Sequence, residues 1–166
     1  MVVIRQAVSA ADIDATRELF RAYLAGLAHD HGIDLGYQNV EGELSDLPGA
    51  YAEPLGAILL AEVEGRVAGV VALRPMEAGA CELKRMYVRP EARGQGIGRA
   101  LGEAIIASAV GRGYRLMRLD TADTLTAAQA LYRSLGFAPC PPYYDPPPNL
   151  AARVVFMARP LAPRNL

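Results

Sequence analysis

The sequence predicts an α/β domain of the α+β kind, with hairpin-linked strands at its middle, and three observations carry that prediction. Hydrophobic periodicity gives the order strand, helix, irregular segment, three strands, helix, strand, helix, strand. Two β-branched apolar runs, Ala57–Val63 and residues 66–73, flank Glu64-Gly65 as the arms of a hairpin. A glycine-rich stretch, Arg93-Gly94-Gln95-Gly96-Ile97-Gly98-Arg99-Ala100, joins an apolar strand end directly to an alanine-rich helix. With 166 residues, 52% of them hydrophobic, the chain suits one domain over 1–166 with a substantial core.

The elements follow in order. Residues 2–8 are short and β-branched, a first strand. Ser9 and Asp12 have capping-box spacing, and Ile13, Phe20, Tyr23, Leu24 and Leu27 recur at helical intervals, leaving Asp14, Arg17, Glu18 and Arg21 outward. From about 28 to 56 the pattern dissolves among Gly32, Gly36, Gly42, Pro48, Gly49 and Pro54, with a helical turn or two available near residues 40–47. A segment this long in a compact domain is functional or mobile. After the hairpin, in which Gly69 suggests a bulge, residues 81–88 form the strand that feeds the glycine loop. Strict alternation places Glu82, Lys84, Met86 and Val88 on one face and Cys81, Leu83, Arg85 and Tyr87 on the other. Charges on both faces of a central strand fit a strand end opening onto a polar site, or ion pairs near an exposed end. A helix over 97–110, a strand over 114–121, a short helix over 127–135 closed by Gly136, an extended piece from Phe137 and a closing strand over 152–158 complete the order. The proline-rich residues 140–148 suit neither a helix nor a central strand.

Composition narrows the function classes. A net charge of −1 disfavours a nucleic-acid or membrane-surface protein, which would carry a basic excess. Lys84 is the only lysine, which together with the abundant alanine reads as a bias of genome composition and carries no functional conclusion. Cys81 and Cys140 lack paired or metal-ligand spacing, and the start of the chain lacks the layout of a signal peptide. A reduced, cytoplasmic setting is expected, with no apolar run long enough for a bilayer. His29 and His31 stand two apart, off one helical face and without a third ligand, so a solvated helix end is expected there and no metal.

The glycine loop carries the chemistry. A helix starting there offers unpaired N–H groups and the positive end of its dipole, a cradle for a phosphate. A Walker loop needs Lys then Ser/Thr, and Arg99-Ala100 supplies neither; the dinucleotide fingerprint fits Gly94 and Gly96 but meets Arg99 at its third position. A glycine-rich turn without a ligand remains open.

The spacing Arg93-x-x-Gly96-x-Gly98, preceded by Glu82-Leu83-Lys84-Arg85-Met86-Tyr87-Val88-Arg89-Pro90, resembles the central motif of the GCN5-related N-acetyltransferases. Ala128-x-x-Leu131-Tyr132-x-x-x-Gly136-Phe137 resembles the second motif of that family, and the pair covers the second half of the chain. The resemblance implies a mixed sheet with flanking helices, splayed at its fourth and fifth strands, and acetyl-CoA as cosubstrate without a metal. It implies cofactor contacts at Met86, Tyr87 and Val88 and at Arg93, Gly94, Gln95, Gly96, Ile97, Gly98 and Arg99. It places Tyr132 beside the sulfur as a proton donor to the thiolate, and Glu82 on the acceptor side as base, directly or through water. An ion pair for Glu82, a core role for Tyr132 and Asp120 as the base stand beside these readings. The chain departs from the family at Leu125, where an asparagine is common; Thr124 or Thr126 could replace its hydrogen bond. Acceptor recognition is expected from residues 28–56 and from Tyr143-Tyr144-Asp145. A small-molecule amine or amino-acid derivative is the expected acceptor. A protein N-terminus or lysine, an acyl-CoA sensor without turnover, and a homodimer are left open.

Overall fold

Seven strands among the described residues make one mixed sheet because the hairpin runs are apolar enough to be covered on both faces. The computed structural model describes residues 1–162. In chain order the elements are β1 (Val2–Gln6), α1 (Ala10–His31), α2 (Val40–Asp46), β2 (Ala57–Val63), β3 (Arg66–Pro75), β4 (Ala80–Val88), α3 (Ile97–Gly111), β5 (Leu116–Ala122), α4 (Thr126–Ser134), β6 (Ala138–Pro139) and β7 (Val154–Pro160). The sheet order is β1-β2-β3-β4-β5-β7-β6, antiparallel throughout except for the β4–β5 pair. No helix among the described residues is long and apolar enough to cross a membrane.

Alternation along β3 sends Val71 and Leu73 to one face and Val70 and Ala72 to the other, and both faces are covered. The first receives Leu101, Ile105 and Ala109 of α3 with Met117, Leu119 and Met157 of the neighbouring strands. The second receives Leu19 and Phe20 of α1, together with Leu44 and Tyr51 from the segment that follows. That segment is less irregular than its glycines and prolines suggest. Helix α1 runs on to His31, and 3-10 turns at Gly36–Gln38 and Gly49–Tyr51 bracket α2. These pieces are too short to persist alone and exist because Leu44 and Tyr51 are buried on the sheet.

The largest departure from strict alternation is in β4. Val70 faces Tyr87 while Ala72 faces Lys84, so Arg85 and Met86 together oppose Val71. Arg85 is the inserted residue, with φ of 58°. The bulge reverses the alternation beyond it. Met86 and Val88 therefore join Leu83 on the α3 side, whereas Glu82 and Lys84 share the register of Arg74 and Ala72 on the α1 side. A second register shift, where Ala61 faces Gly69 and Glu62 faces Val67, lies where Gly69 indicated one.

Strand β4 pairs with β5 over only three residues, Ala80 with Leu116, Cys81 with Met117 and Glu82 with Arg118. Beyond Glu82 the two strands part. The Arg89 amide donates to Ala68 of β3 at 2.8 Å, so by alternation the amides of Val88 and Met86 point away from β3, into the gap.

At the N-terminus the capping box forms as its spacing indicates: Ser9 Oγ accepts from the Asp12 amide at 3.1 Å, and Asp12 accepts from the Ser9 amide at 3.1 Å. Arg5 binds the same carboxylate through two N–H groups at 2.8 and 2.9 Å, and the Val8 amide adds a bond at 2.8 Å. Arg5 first, then these amides, hold the Asp12 carboxyl well below the usual carboxylate range. A depressed carboxyl stabilises the fold above its unfolded value near pH 4 and loses that contribution as pH falls. Asp12→Ala will lower stability near neutral pH by about 1–2 kcal/mol in urea unfolding. The gap between variant and wild type will narrow as pH drops below about 4.

Candidate active site

The parted strands, the start of α3 and the C-terminal half of α1 enclose a cleft of about 470 Å³. Its floor is the free edge of β4, from Leu83 to Val88, facing Asp120, Thr121 and Ala122 of β5. One end is the glycine loop. Gly94 and Gly96 both take φ of 78°, a left-handed conformation that glycine adopts without a Cβ penalty. Gly96 caps α3 without a side chain, and the first helical bond runs from the Ala100 amide to Gly96 O at 3.0 Å. The amides of Ile97, Gly98 and Arg99 are thus left without helical acceptors, which makes this end a seat for an anionic group. Arg93 guards its entrance: Nε donates to Val88 O at 3.0 Å, and the guanidinium lies over the Tyr87 ring at 5.6 Å.

Of the residues assigned to the cofactor from sequence, Met86, Tyr87, Val88, Arg93, Gly94, Gly96, Ile97 and Gly98 line the cleft. The side chains of Gln95 and Arg99 are exposed, and Arg99 turns aside to Ser134 Oγ at 2.5 Å and Glu103 at 3.6 Å. Leu125 lines the cleft, while the Thr124 hydroxyl is engaged with His31 Nδ1 at 2.8 Å. His29 pairs with Asp30, so the two histidines turn to different partners.

Tyr132 enters from α4 and lines the cleft from beneath, edge-on to Phe137. Burial, with the charge of Asp120 adding to it, pushes its phenol above the usual tyrosine value. Tyr23, on the opposite wall, is pushed up to about 12 by burial. Both phenols therefore remain proton donors at neutral pH.

The other end of the cleft is polar and densely bonded. Glu82 is 1% exposed and does not line the cleft. Its Oε1 accepts from Arg74 Nε at 2.7 Å, and its Oε2 accepts from the Tyr143 hydroxyl at 2.5 Å. The arginine ion pair foreseen as one role for Glu82 is thus formed by its cross-strand partner. Asp120 does line the cleft; its Oδ2 accepts from the Tyr144 hydroxyl and from Gln38 Nε2 at 3.4 Å. Lys84 stands between the two carboxylates, with Nζ 3.8 Å from Glu82 and 3.7 Å from Asp120, and donates to Gln38 Oε1 at 3.1 Å. Arg85 turns away to Glu43 at 3.0 Å. Tyr143 and Tyr144, from the proline-rich segment, pack against Phe156 of β7, and Tyr37 meets Tyr144 at 3.2 Å between hydroxyls. Gln38, Lys84 and the two tyrosine–carboxylate bonds were not assigned roles from sequence, because their partners lie 24 to 82 residues apart in the chain. Glu82, Asp120 and Tyr143-Tyr144 had already been expected on the acceptor side; the lone lysine was a further signal that could have marked this corner.

Comparison with known proteins places the chain among related sequences. The pattern described as the acetyltransferase (GNAT) family matches residues 14–137. An uncharacterized N-acetyltransferase of Schizosaccharomyces pombe is 43% identical over 142 residues, covering 84% of this chain and 85% of that protein. Human N-acetylaspartate synthetase is 35% identical over 124 residues, or 74% of this chain, which spans only 37% of the human protein. The ribosomal-protein-S18-alanine N-acetyltransferase of Escherichia coli superimposes with a TM-score of 0.72 at 23% identity, over 100% of this chain and 99% of that one.

The raised Tyr132 phenol has a direct readout. In an alkaline spectrophotometric titration, Tyr132→Phe will match wild type up to about pH 10, because the missing phenol does not ionise in that range. The two curves will diverge only at higher pH.

Proposed function

Because the chain belongs to the GNAT family of acetyl-CoA-dependent N-acetyltransferases, we propose that it moves the acetyl group directly to the amine of a small molecule or amino-acid derivative. The observation that carries this reading is the single cleft that joins an anion seat, a free strand edge and a buried phenol. Acetyl-CoA supplies an acyl group already activated as a thioester. The amides from Gly94 to Arg99 would hold its pyrophosphate, with Arg93 at the entrance, and the edge of β4 at Met86 and Val88 would bond the pantetheine arm as an added strand. Backbone donors suit this task because they are fixed before binding and need no lysine at the loop.

Tyr132 is assigned the role of proton donor to the departing thiolate, and its raised affinity for the proton keeps it in the donating form at neutral pH. The proton shed by the acceptor passes into the Glu82–Lys84–Asp120 group. Glu82 reaches the cleft only through Lys84, whereas Asp120 borders it. At the acceptor end Gln38 borders the cleft beside Asp120, while Tyr143 and Tyr144 bind the two carboxylates without lining it. A small acceptor is supported by the name of the human relative. Tyrosine rings beside a carboxylate also suit an ammonium group.

Calorimetry with acetyl-CoA and CoA, followed by thiol release with aspartate, alanine, lysine, spermidine and an alanine-initiated peptide, tests the reading. Binding of both cofactor forms and faster release with a free amino acid or amine than with the peptide is the expected outcome. Binding without release from any acceptor would favour a sensor of acyl-CoA, and preference for the peptide would move the acceptor to protein N-termini. Tyr132→Phe will lower turnover by about ten- to a thousand-fold while leaving CoA affinity nearly unchanged. Undiminished turnover would return Tyr132 to a packing role.

A further inference from the structure

We infer that Lys84, in its uncharged form, is the base that takes the proton from the acceptor amine. The inference rests on the acyl-transfer reading above and goes beyond it by naming the proton acceptor. Its first support is compositional. Of the 17 Lys and Arg residues, 16 are Arg, and the one exception is buried at the cleft. Arginine stays protonated in proteins, whereas a desolvated lysine can give up its proton and act as a base.

The geometry around Nζ is the second support. Lys84 lines the cleft with its side chain 5% exposed. Two carboxylates flank it, yet they stand 3.7 and 3.8 Å away, well beyond the roughly 2.7–2.9 Å of a charge-assisted hydrogen bond. Other donors hold those carboxylates: Arg74 and Tyr143 on Glu82, Tyr144 and Gln38 on Asp120. Among the described residues, Nζ makes one hydrogen bond, to Gln38 Oε1 at 3.1 Å. An amine that can make three has two positions left over for a substrate.

The charged surroundings can be taken element by element. Glu82 and Arg85 are on β4 itself, Arg74 on β3 and Asp120 on β5. Glu43 of α2 neutralises Arg85, while Tyr23 of α1 and the phenols of Tyr143 and Tyr144 bring no charge near neutral pH. Burial lowers the Lys84 pKa; Asp120 and Glu82 oppose the shift, and Arg85 and Arg74 reinforce it. A carboxylate, with an ordinary value near 4, is a weak base toward an ammonium near 8–10, whereas a lowered lysine is matched to it.

The protons balance. The acceptor N–H bond breaks and an Nζ–H bond forms, leaving a neutral amine. Its lone pair forms the C–N bond as the C–S bond breaks. Tyr132 protonates the thiolate and recovers the proton that the new amide nitrogen sheds. Lys84 keeps the one proton released overall, steadied by Glu82 and Asp120, until solvent removes it. Because the uncharged form is the base, activity rises with pH as Lys84 loses its proton.

A single lysine makes the test direct. In protein labelled with ¹³C at lysine Cε, one side-chain resonance reports Lys84 without assignment. It will titrate below the ordinary value of about 10.4. Lys84→Arg keeps the charge but cannot supply the base. It will bind acetyl-CoA as wild type does and lose about a hundred-fold or more in thiol release with the panel amine that wild type uses fastest. A resonance titrating at or above the ordinary value would overturn the inference, as would Lys84→Arg turning over within about three-fold of wild type. Should wild type bind acetyl-CoA and acetylate nothing in the panel, the acyl-transfer reading fails instead, while the resonance still decides the state of Lys84.

Discussion

The structure turns on the early parting of β4 and β5. Three residue pairs join them, and after Glu82 and Arg118 each strand runs on without the other. An unpaired edge inside a sheet would ordinarily cost several exposed backbone groups. Here it becomes the floor of a cleft, with α3 beginning at one end and a polar network closing the other. The bulge at Arg85 serves the same arrangement. By adding one residue to β4, it leaves Lys84 on the α1 side and returns Met86 and Val88 to the α3 side, so one short strand lines both the polar and the apolar parts of the cleft. A left-handed conformation at a non-glycine residue is a local strain that persists only where the surroundings fix it, and the Glu43–Arg85 pair supplies that fixing.

The polar end shows how a central strand can carry charges on consecutive residues. Glu82 meets Arg74 directly across the β3–β4 ladder, Arg85 meets Glu43 from α2, and Lys84 reaches across the gap toward Asp120. Two tyrosines from a proline-rich segment complete the carboxylate shells and tether that segment over the site. Arginines and phenols satisfy the carboxylates at close range, and the lysine between them is held more loosely than either. Electrostatic order and spare hydrogen-bonding capacity thus meet at one nitrogen.

Much of this was legible in the sequence, and the reasons for what was not are physical. The hairpin, the capping box at Ser9 and Asp12, and the glycine loop feeding α3 are local signals, written within a few neighbouring residues. Tyr132 could be placed beside that loop only through resemblance to a family whose motifs recur on separate elements. Alternation failed at Arg85 because a period of two assumes that no residue is inserted, and a bulge is set by tertiary contacts rather than by spacing. The helical turns near residues 40–47 were legible and form α2, but the seating of that stretch on the sheet was hidden because it depends on burying Leu44 and Tyr51, a long-range effect. The surroundings of Glu82 and Lys84 were hidden for the same reason: Tyr143 and Gln38 arrive from far along the chain.

The central claim is that the open edge of β4 and the start of α3 together receive acetyl-CoA. Amide hydrogen exchange, compared with and without saturating CoA, tests it residue by residue. The account predicts slowed exchange at Met86 and Val88 and from Gly94 to Arg99, the amides it assigns to the cofactor. Unchanged exchange at those amides, with protection confined to another surface, would contradict it.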